Sequence, residues 1–298
     1  MTQRQHCGVP EGSPEIEVDG VRIAVVREGR GPALVCLHAI GHGARDFDAF
    51  AAAVRDRYEV IRVDWPGQGR SGADAQPPSA ARYAQLLARL LERLDVRAPI
   101  LVGNSIGGAA ALLYAQRQPV RALVLCDPGG LVAVDGFVRL ICRMFAAFFA
   151  AGERGAAWFA RAFRFYYRFI VLPGRAATDQ RERIIRAGVE TAPILCQAWT
   201  SFAQPQADLR ALAAALDVPI WCAWARSDRV IPLLLCRPAI RRMKHATLTT
   251  FSGGHSAFLE QPVEFAVAFD RFVARSVTAV VAANRGLQAR DRTRPATF

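Results

Sequence analysis

The stretch Gly103-Asn104-Ser105-Ile106-Gly107-Gly108 follows the apolar run Pro99-Ile100-Leu101-Val102 and precedes the small-residue pattern of residues 109–116. The reading is a strand, a sharp turn and a helix, with a G-x-S-x-G placed on the turn. Such a turn forces its central serine into strained backbone geometry, and the flanking glycines leave room for it. The hydroxyl is then lifted clear of the sheet, and the N–H of Ile106 points to where an oxyanion would form. By itself the motif is weak, since ordinary glycine and serine usage produces it in about one chain in ten of this size. Its weight depends on what surrounds it.

Working outward, residues 33–38 (Ala-Leu-Val-Cys-Leu-His) form a continuous apolar run suited to a strand buried on both faces. Residues 58–64, 100–103, 122–127, 219–225 and 247–251 read as further strands. Residues 15–18 and 22–28 flank Asp19-Gly20, a hairpin signal. Helices are expected over 46–57 with Asp46 as cap, 79–94 with Ser79 as cap, 233–243 and 263–273. Strands alternating with helices imply an α/β fold: a mostly parallel eight-stranded sheet with helices on both faces. Residues 129–216 interrupt the alternation, being helix-like, aromatic and rich in arginine, with breaks at Pro173-Gly174 and Pro205. The expected organisation is a polar leader (1–14), one discontinuous domain (15–128 and 217–283), the helical insertion (129–216) and a basic tail (284–298).

Composition excludes several classes. The chain has 298 residues, 52% hydrophobic and 21% charged, enough for a large core. Its net charge of +12 is almost wholly arginine, Lys244 being the only lysine, and the arginines are scattered with no nucleic-acid recognition motif. Seven cysteines lie singly without C-x-x-C pairing, as expected for reduced buried thiols in a cytoplasmic protein. Residues 1–16 lack an apolar signal-peptide core. Residues 98–116 carry no charge, but Pro99, Asn104 and the glycines argue against a membrane span. His38 and His42 sit four apart on a loop without a matching carboxylate, so no metal or other cofactor is expected.

In an open α/β sheet, ligands bind at the carboxyl ends of the parallel strands. There the chain places His38-Ala39-Ile40-Gly41-His42-Gly43, Asp64-Trp65-Pro66-Gly67, Ser105, Asp127, Asp228 and His255. A serine needs an imidazole to take its proton, and the imidazole needs a carboxylate to fix its tautomer. Of the five histidines, His6 lies in the leader, His245 is at the wrong end of a strand, and the loop of His38 and His42 suits oxyanion donors. His255 remains. Asp228 and Asp127 both satisfy the order Ser–Asp–His; Asp228 in Asp-Arg-Val-Ile-Pro is preferred, and Asp127-Pro128-Gly129 reads as a strand-ending turn.

These stretches resemble the α/β-hydrolase superfamily over roughly residues 18–127 and 218–273. The H-G-x loop, the D-x-P-G-x-G-x-S turn, the G-x-S-x-G elbow, the acid loop and the G-H-x-x-x-x-E-x-P segment occur in that order. The resemblance implies Ser105 as nucleophile, His255 as general base and acid, Asp228 as orienting carboxylate, and the N–H groups of Ile40 and Ile106 as oxyanion hole. It implies a structural role for residues 64–71 and a cap over the site for residues 129–216. The chain departs from the family pattern with Ala39 and Ala225 where glycine is usual.

The expected activity is hydrolysis of a carboxylic ester or related acyl compound by a small-molecule-directed, cofactor-independent serine hydrolase. Alternatives on the same triad are C–C bond hydrolysis, perhydrolysis and acyl transfer; a third reading is a binding protein without catalysis. In the insertion, Arg154, Arg161, Arg164 and Arg168 are spaced by seven, three and four, as on one helix face. Three readings stand for this stripe: a solvated face, contact with anionic membrane surfaces, or an arginine reaching a substrate carboxylate.

Overall fold

In the computed structural model, which describes residues 15–291 and side chains to residue 276, eight strands form one sheet. They are β1 (Glu15–Val18), β2 (Val21–Gly29), β3 (Ala33–Leu37), β4 (Glu59–Val63), β5 (Ile100–Asn104), β6 (Ala122–Cys126), β7 (Ile220–Ala225) and β8 (Ala246–Phe251). Their order is β1-β2-β4-β3-β5-β6-β7-β8. β1 and β2 pair antiparallel, β2 runs antiparallel to β4, and every later pairing is parallel. The strands expected from the sequence are all present, within two residues at each end.

Two apolar layers explain why the central strands are uninterrupted runs. Leu34, Cys36, Val102 and Val124 face a layer holding Phe47, Phe50, Phe265 and Phe269. Val35, Leu37, Leu101 and Leu125 face the opposite layer, with Leu86, Leu90 and Leu112. Alternate side chains leave a strand on opposite faces, so a strand covered on both must be apolar throughout.

The helices are α1 (Asp48–Val54), α2 (Ala80–Arg93), α3 (Ile106–Ala115), α4 (Gly136–Glu153), α5 (Phe159–Tyr166), α6 (Thr178–Arg186), α7 (Gly188–Phe202), α8 (Arg210–Ala215), α9 (Leu233–Ile240), α10 (Ala257–Glu260) and α11 (Pro262–Asp291). Ser79 caps α2 as expected, its side chain accepting from the Arg82 N–H. Asp46 does not cap α1: residues Ala44–Phe47 form a 3-10 turn, and Phe47 occupies the cap position. The physical reason is competition, because the Asp46 carboxylate is taken by His42 and Gln180. The last helix continues to Asp291, into the stretch expected as tail; residues 1–14 and 292–298 lie outside the described part.

Between β6 and β7 the chain is helical, from α4 to α8, with no strand. A π turn, Tyr167–Val171, follows α5, and Pro173-Gly174 separates it from α6. Gly155, at φ +73°, ends the α4 segment. Arg154 therefore sits in the turn after α4 while Arg161 belongs to α5, and the π turn shifts Arg168 off the regular spacing. The expected single arginine face is not formed.

Candidate active site

The turn after β5 has the strain its sequence implies: Ser105 sits at φ +54° and ψ −118°. Its glycines are sterically required. A Cβ on Gly103 would lie 2.5 Å from the Gly107 carbonyl oxygen, and one on Gly107 would lie 2.3 Å from that of Leu37. Ile106 is the first residue of α3, so its N–H has no intrahelical acceptor.

The loop after β3 narrows the choice of a second donor. Gly41 N–H is bound to Gln68 Oε1 at 2.6 Å, and His42 N–H to the Ala39 carbonyl at 3.3 Å. Ile40 N–H has no intramolecular acceptor among the described bonds. Ala39 adopts no positive φ, while Gly41, at +76°, takes the position that demands glycine. Ala225 is likewise free of that demand, so neither departure from the family pattern perturbs the backbone. His38 is wholly buried, its Nε2 accepting from Trp65 N–H at 3.0 Å. Asp64 ties the turn below the site, accepting from the N–H groups of Ala44 (2.7 Å) and Arg70 (3.1 Å).

His255 and Asp228 are brought together. His255 Nδ1 donates to Asp228 Oδ2 at 2.8 Å, and Asp228 Oδ1 accepts from the N–H groups of Val230 and Ile231 at 2.7 and 2.9 Å. Both side chains are buried. A carboxylate on Nδ1 places the ring's proton there and leaves Nε2 as a base. Ser105 and His255 line the same cavity, about 560 Å³, although no hydrogen bond joins them in this conformation. Other lining residues are mostly apolar, among them Ile40, Ile106, Phe145, Leu195 and Trp199.

Asp127 lies behind this pair and is more than a turn residue. It is wholly buried; Oδ1 accepts from Ala225 N–H at 2.8 Å, and Oδ2 has no donor. Burial first, then the neighbouring Asp228 carboxylate, push its carboxyl well above the usual range. Both effects favour the neutral acid at Asp127, and Asp228 is the side chain that meets His255.

Several positioning residues were assigned no role by the sequence. Asn104 Nδ2 donates to the carbonyls of His255 and Cys126, both at 3.0 Å, and Ser256 Oγ donates to Asn104 Oδ1 at 2.9 Å. The His255 loop is thereby tied to the end of β5. Glu260, within the quoted G-H-x-x-x-x-E-x-P segment, accepts from Gly254 N–H and Gly174 N–H, both at 2.6 Å. His255 N–H itself donates to the Val171 carbonyl at 2.7 Å, so the helical insertion holds the loop too. Arg154, Arg161, Arg164 and Arg168 are exposed and do not line the cavity; Arg168 meets Glu182 at 3.6 Å. Arg229, beside Asp228, is the arginine that does line it.

Residues 34–268 match the model of the alpha/beta hydrolase family. The chain belongs to that family. It is 31% identical over 260 residues to a pimeloyl-[acyl-carrier protein] methyl ester esterase of Xanthomonas campestris, covering 83% of this chain and 96% of the relative. An uncharacterised Mycobacterium tuberculosis protein is 27% identical over 285 residues, covering 86% and 79%. An esterase of Thermogutta terrifontis superposes with a TM-score of 0.72 at 20% identity, over 88% of this chain and 97% of that one. An enol-lactonase of Burkholderia xenovorans gives 0.73 at 18% identity, over 88% and 100%. The chain is therefore an enzyme of the α/β-hydrolase type with esterases among its relatives. No helix of the described residues is long and apolar enough to cross a membrane.

Proposed function

We propose that the protein hydrolyses carboxylic esters of small, largely aliphatic acyl compounds in the cytoplasm, through Ser105, His255 and Asp228. The observation that carries this reading is the His255–Asp228 pair, bonded at 2.8 Å, on the cavity that also holds the strained Ser105. Ser105 Oγ attacks the ester carbonyl carbon while His255 Nε2 takes its proton. The resulting oxyanion is met by the N–H groups of Ile40 and Ile106, which have no other acceptor. The carbon–oxygen bond to the leaving alcohol breaks, and His255 returns the proton to that oxygen. Water, deprotonated by the same ring, then releases the acid and restores Ser105. Asp228 keeps the ring's tautomer and balances its charge when protonated. The insertion of residues 129–216 is the cap: it supplies Val138, Phe145, Leu195 and Trp199 to the cavity and excludes water from the acyl-enzyme.

Ser105→Ala and His255→Ala should each lower turnover of p-nitrophenyl butyrate by about a thousandfold or more. A fluorophosphonate should label the native protein at Ser105 and fail to label Ser105→Ala. Turnover by Ser105→Ala equal to that of the parent would end this reading. Labelling of Ser105 without hydrolysis of any ester in a chain-length panel would instead favour C–C hydrolysis, perhydrolysis or acyl transfer.

A further inference from the structure

A second imidazole–carboxylate pair borders the same cavity. His42 Nδ1 meets Asp46 Oδ2 at 2.5 Å, and both side chains are buried. Asp46 is itself held by Gln180 Nε2 from α6, and Gln180 by Arg183. The His42 ring rests beside Tyr167, with centroids 5.8 Å apart, and lines the cavity with Ser105 and His255. It differs from its neighbour His38, both of whose ring nitrogens are engaged by backbone groups. His42 Nε2 has no protein partner among the described bonds.

The chemistry of the free nitrogen follows from its partner. A carboxylate on Nδ1 holds the proton on that side, which leaves a lone pair on Nε2. That acceptor faces a cavity whose walls are otherwise mainly apolar, which makes it one of the few placed polar groups there. Apolar walls with a few placed polar groups are the usual construction of a selective small-molecule site. An aliphatic chain fits those walls, and a hydroxyl on that chain would satisfy the acceptor.

We propose that His42, oriented by Asp46, is a hydrogen-bond-accepting subsite that selects acyl esters carrying a hydroxyl group on the chain. This inference rests on the ester-hydrolase reading for the orientation of the substrate. Within it, Ser105 and His255 carry the reaction, while His42 discriminates among substrates. A site built to bond a hydroxyl loses much of its preference once either partner is removed.

The test compares p-nitrophenyl butyrate with its 2-, 3- and 4-hydroxy analogues. In the parent enzyme, kcat/KM should favour one hydroxy ester over the plain ester. In His42→Phe this ratio should fall by about tenfold, the worth of one buried hydrogen bond. His42→Gln, whose amide oxygen still accepts, should recover part of the preference. A ratio unchanged for all three analogues in folded His42→Phe would overturn the proposal and leave the pair as a brace for the loop. A binding measurement keeps the question open to refutation even if that variant does not fold. Ser105→Ala is titrated with the corresponding methyl esters while the His42 ring nitrogens are followed by NMR. The hydroxy ester should move the Nε2 resonance and the plain ester should not; no movement with any of them refutes the subsite. Failure of the ester-hydrolase reading is separate, because it shows as parent-like turnover in Ser105→Ala.

Discussion

Asp127 shows how a side chain read only as a turn residue can also take part in the buried polar network behind a site. Asp-Pro-Gly after an apolar run signals a turn, and the residue does take a left-handed φ of +45°. What sequence could not supply is the Asp228 carboxyl, brought against it from the end of another strand. Burial and the neighbouring Asp228 carboxylate both disfavour ionisation of Asp127 and raise its pKa. Protons are therefore held in the native state over a range where the unfolded chain has released them. By linkage, stability is full below the ordinary aspartate range near about 4 and falls as pH rises toward the raised native value. Asp127→Asn removes the titrating group and with it this slope. Denaturant melts from pH 4 to 8 should show a flatter decline for the variant. Identical slopes would refute the neutral acid. A residual slope of the same sign should remain, because burial also raises Glu260.

The crossing of α3 over the sheet depends on missing side chains. Gly103 and Gly107 bring the first turn of α3 close to β3 and β5, and the obstacles to a Cβ are backbone carbonyls that have no rotamer to change. Gly107→Ala should cost about 2–3 kcal/mol, as overpacking does. It should lower the denaturant midpoint and also reduce activity by displacing Ile106 N–H. Strands and the Ser79-capped helix were legible because continuous apolar runs and a cap are local signals. The π turn was not, because its hydrogen bonding is settled by Tyr167 packing against His42 and by Val171 accepting from His255. The arginine stripe failed for the same reason: a helical wheel assumes one unbroken helix, and Gly155 ends it.

The molecule as a whole keeps its reactive groups apart. Of the six described cysteines, five are buried and Cys196 is partly exposed. Burial pushes the Cys36 and Cys222 thiols up to about 12 and weakens them further as nucleophiles. Among these six, Cys196 alone should react with Ellman's reagent within minutes, and Cys196→Ser should abolish that fast phase. Rapid reaction of several of the six would contradict the packing of the sheet. The order of motifs along the chain was enough to bring Ser105, Asp228 and His255 to one edge, since a parallel sheet sends every strand end the same way. Substrate preference was hidden, because the cavity walls come from helices whose mutual packing no short motif encodes.

The bond from His255 N–H to Val171 O has a further meaning for protein engineering. Grafting residues 129–216 from a relative is the natural way to change selectivity in a scaffold of this kind. Here the graft would also replace a tether of His255, together with Gly174, which Glu260 links to the same loop. The helical insertion and the His255 loop are joined by these bonds. A chimera should keep residues 171–174 of its host.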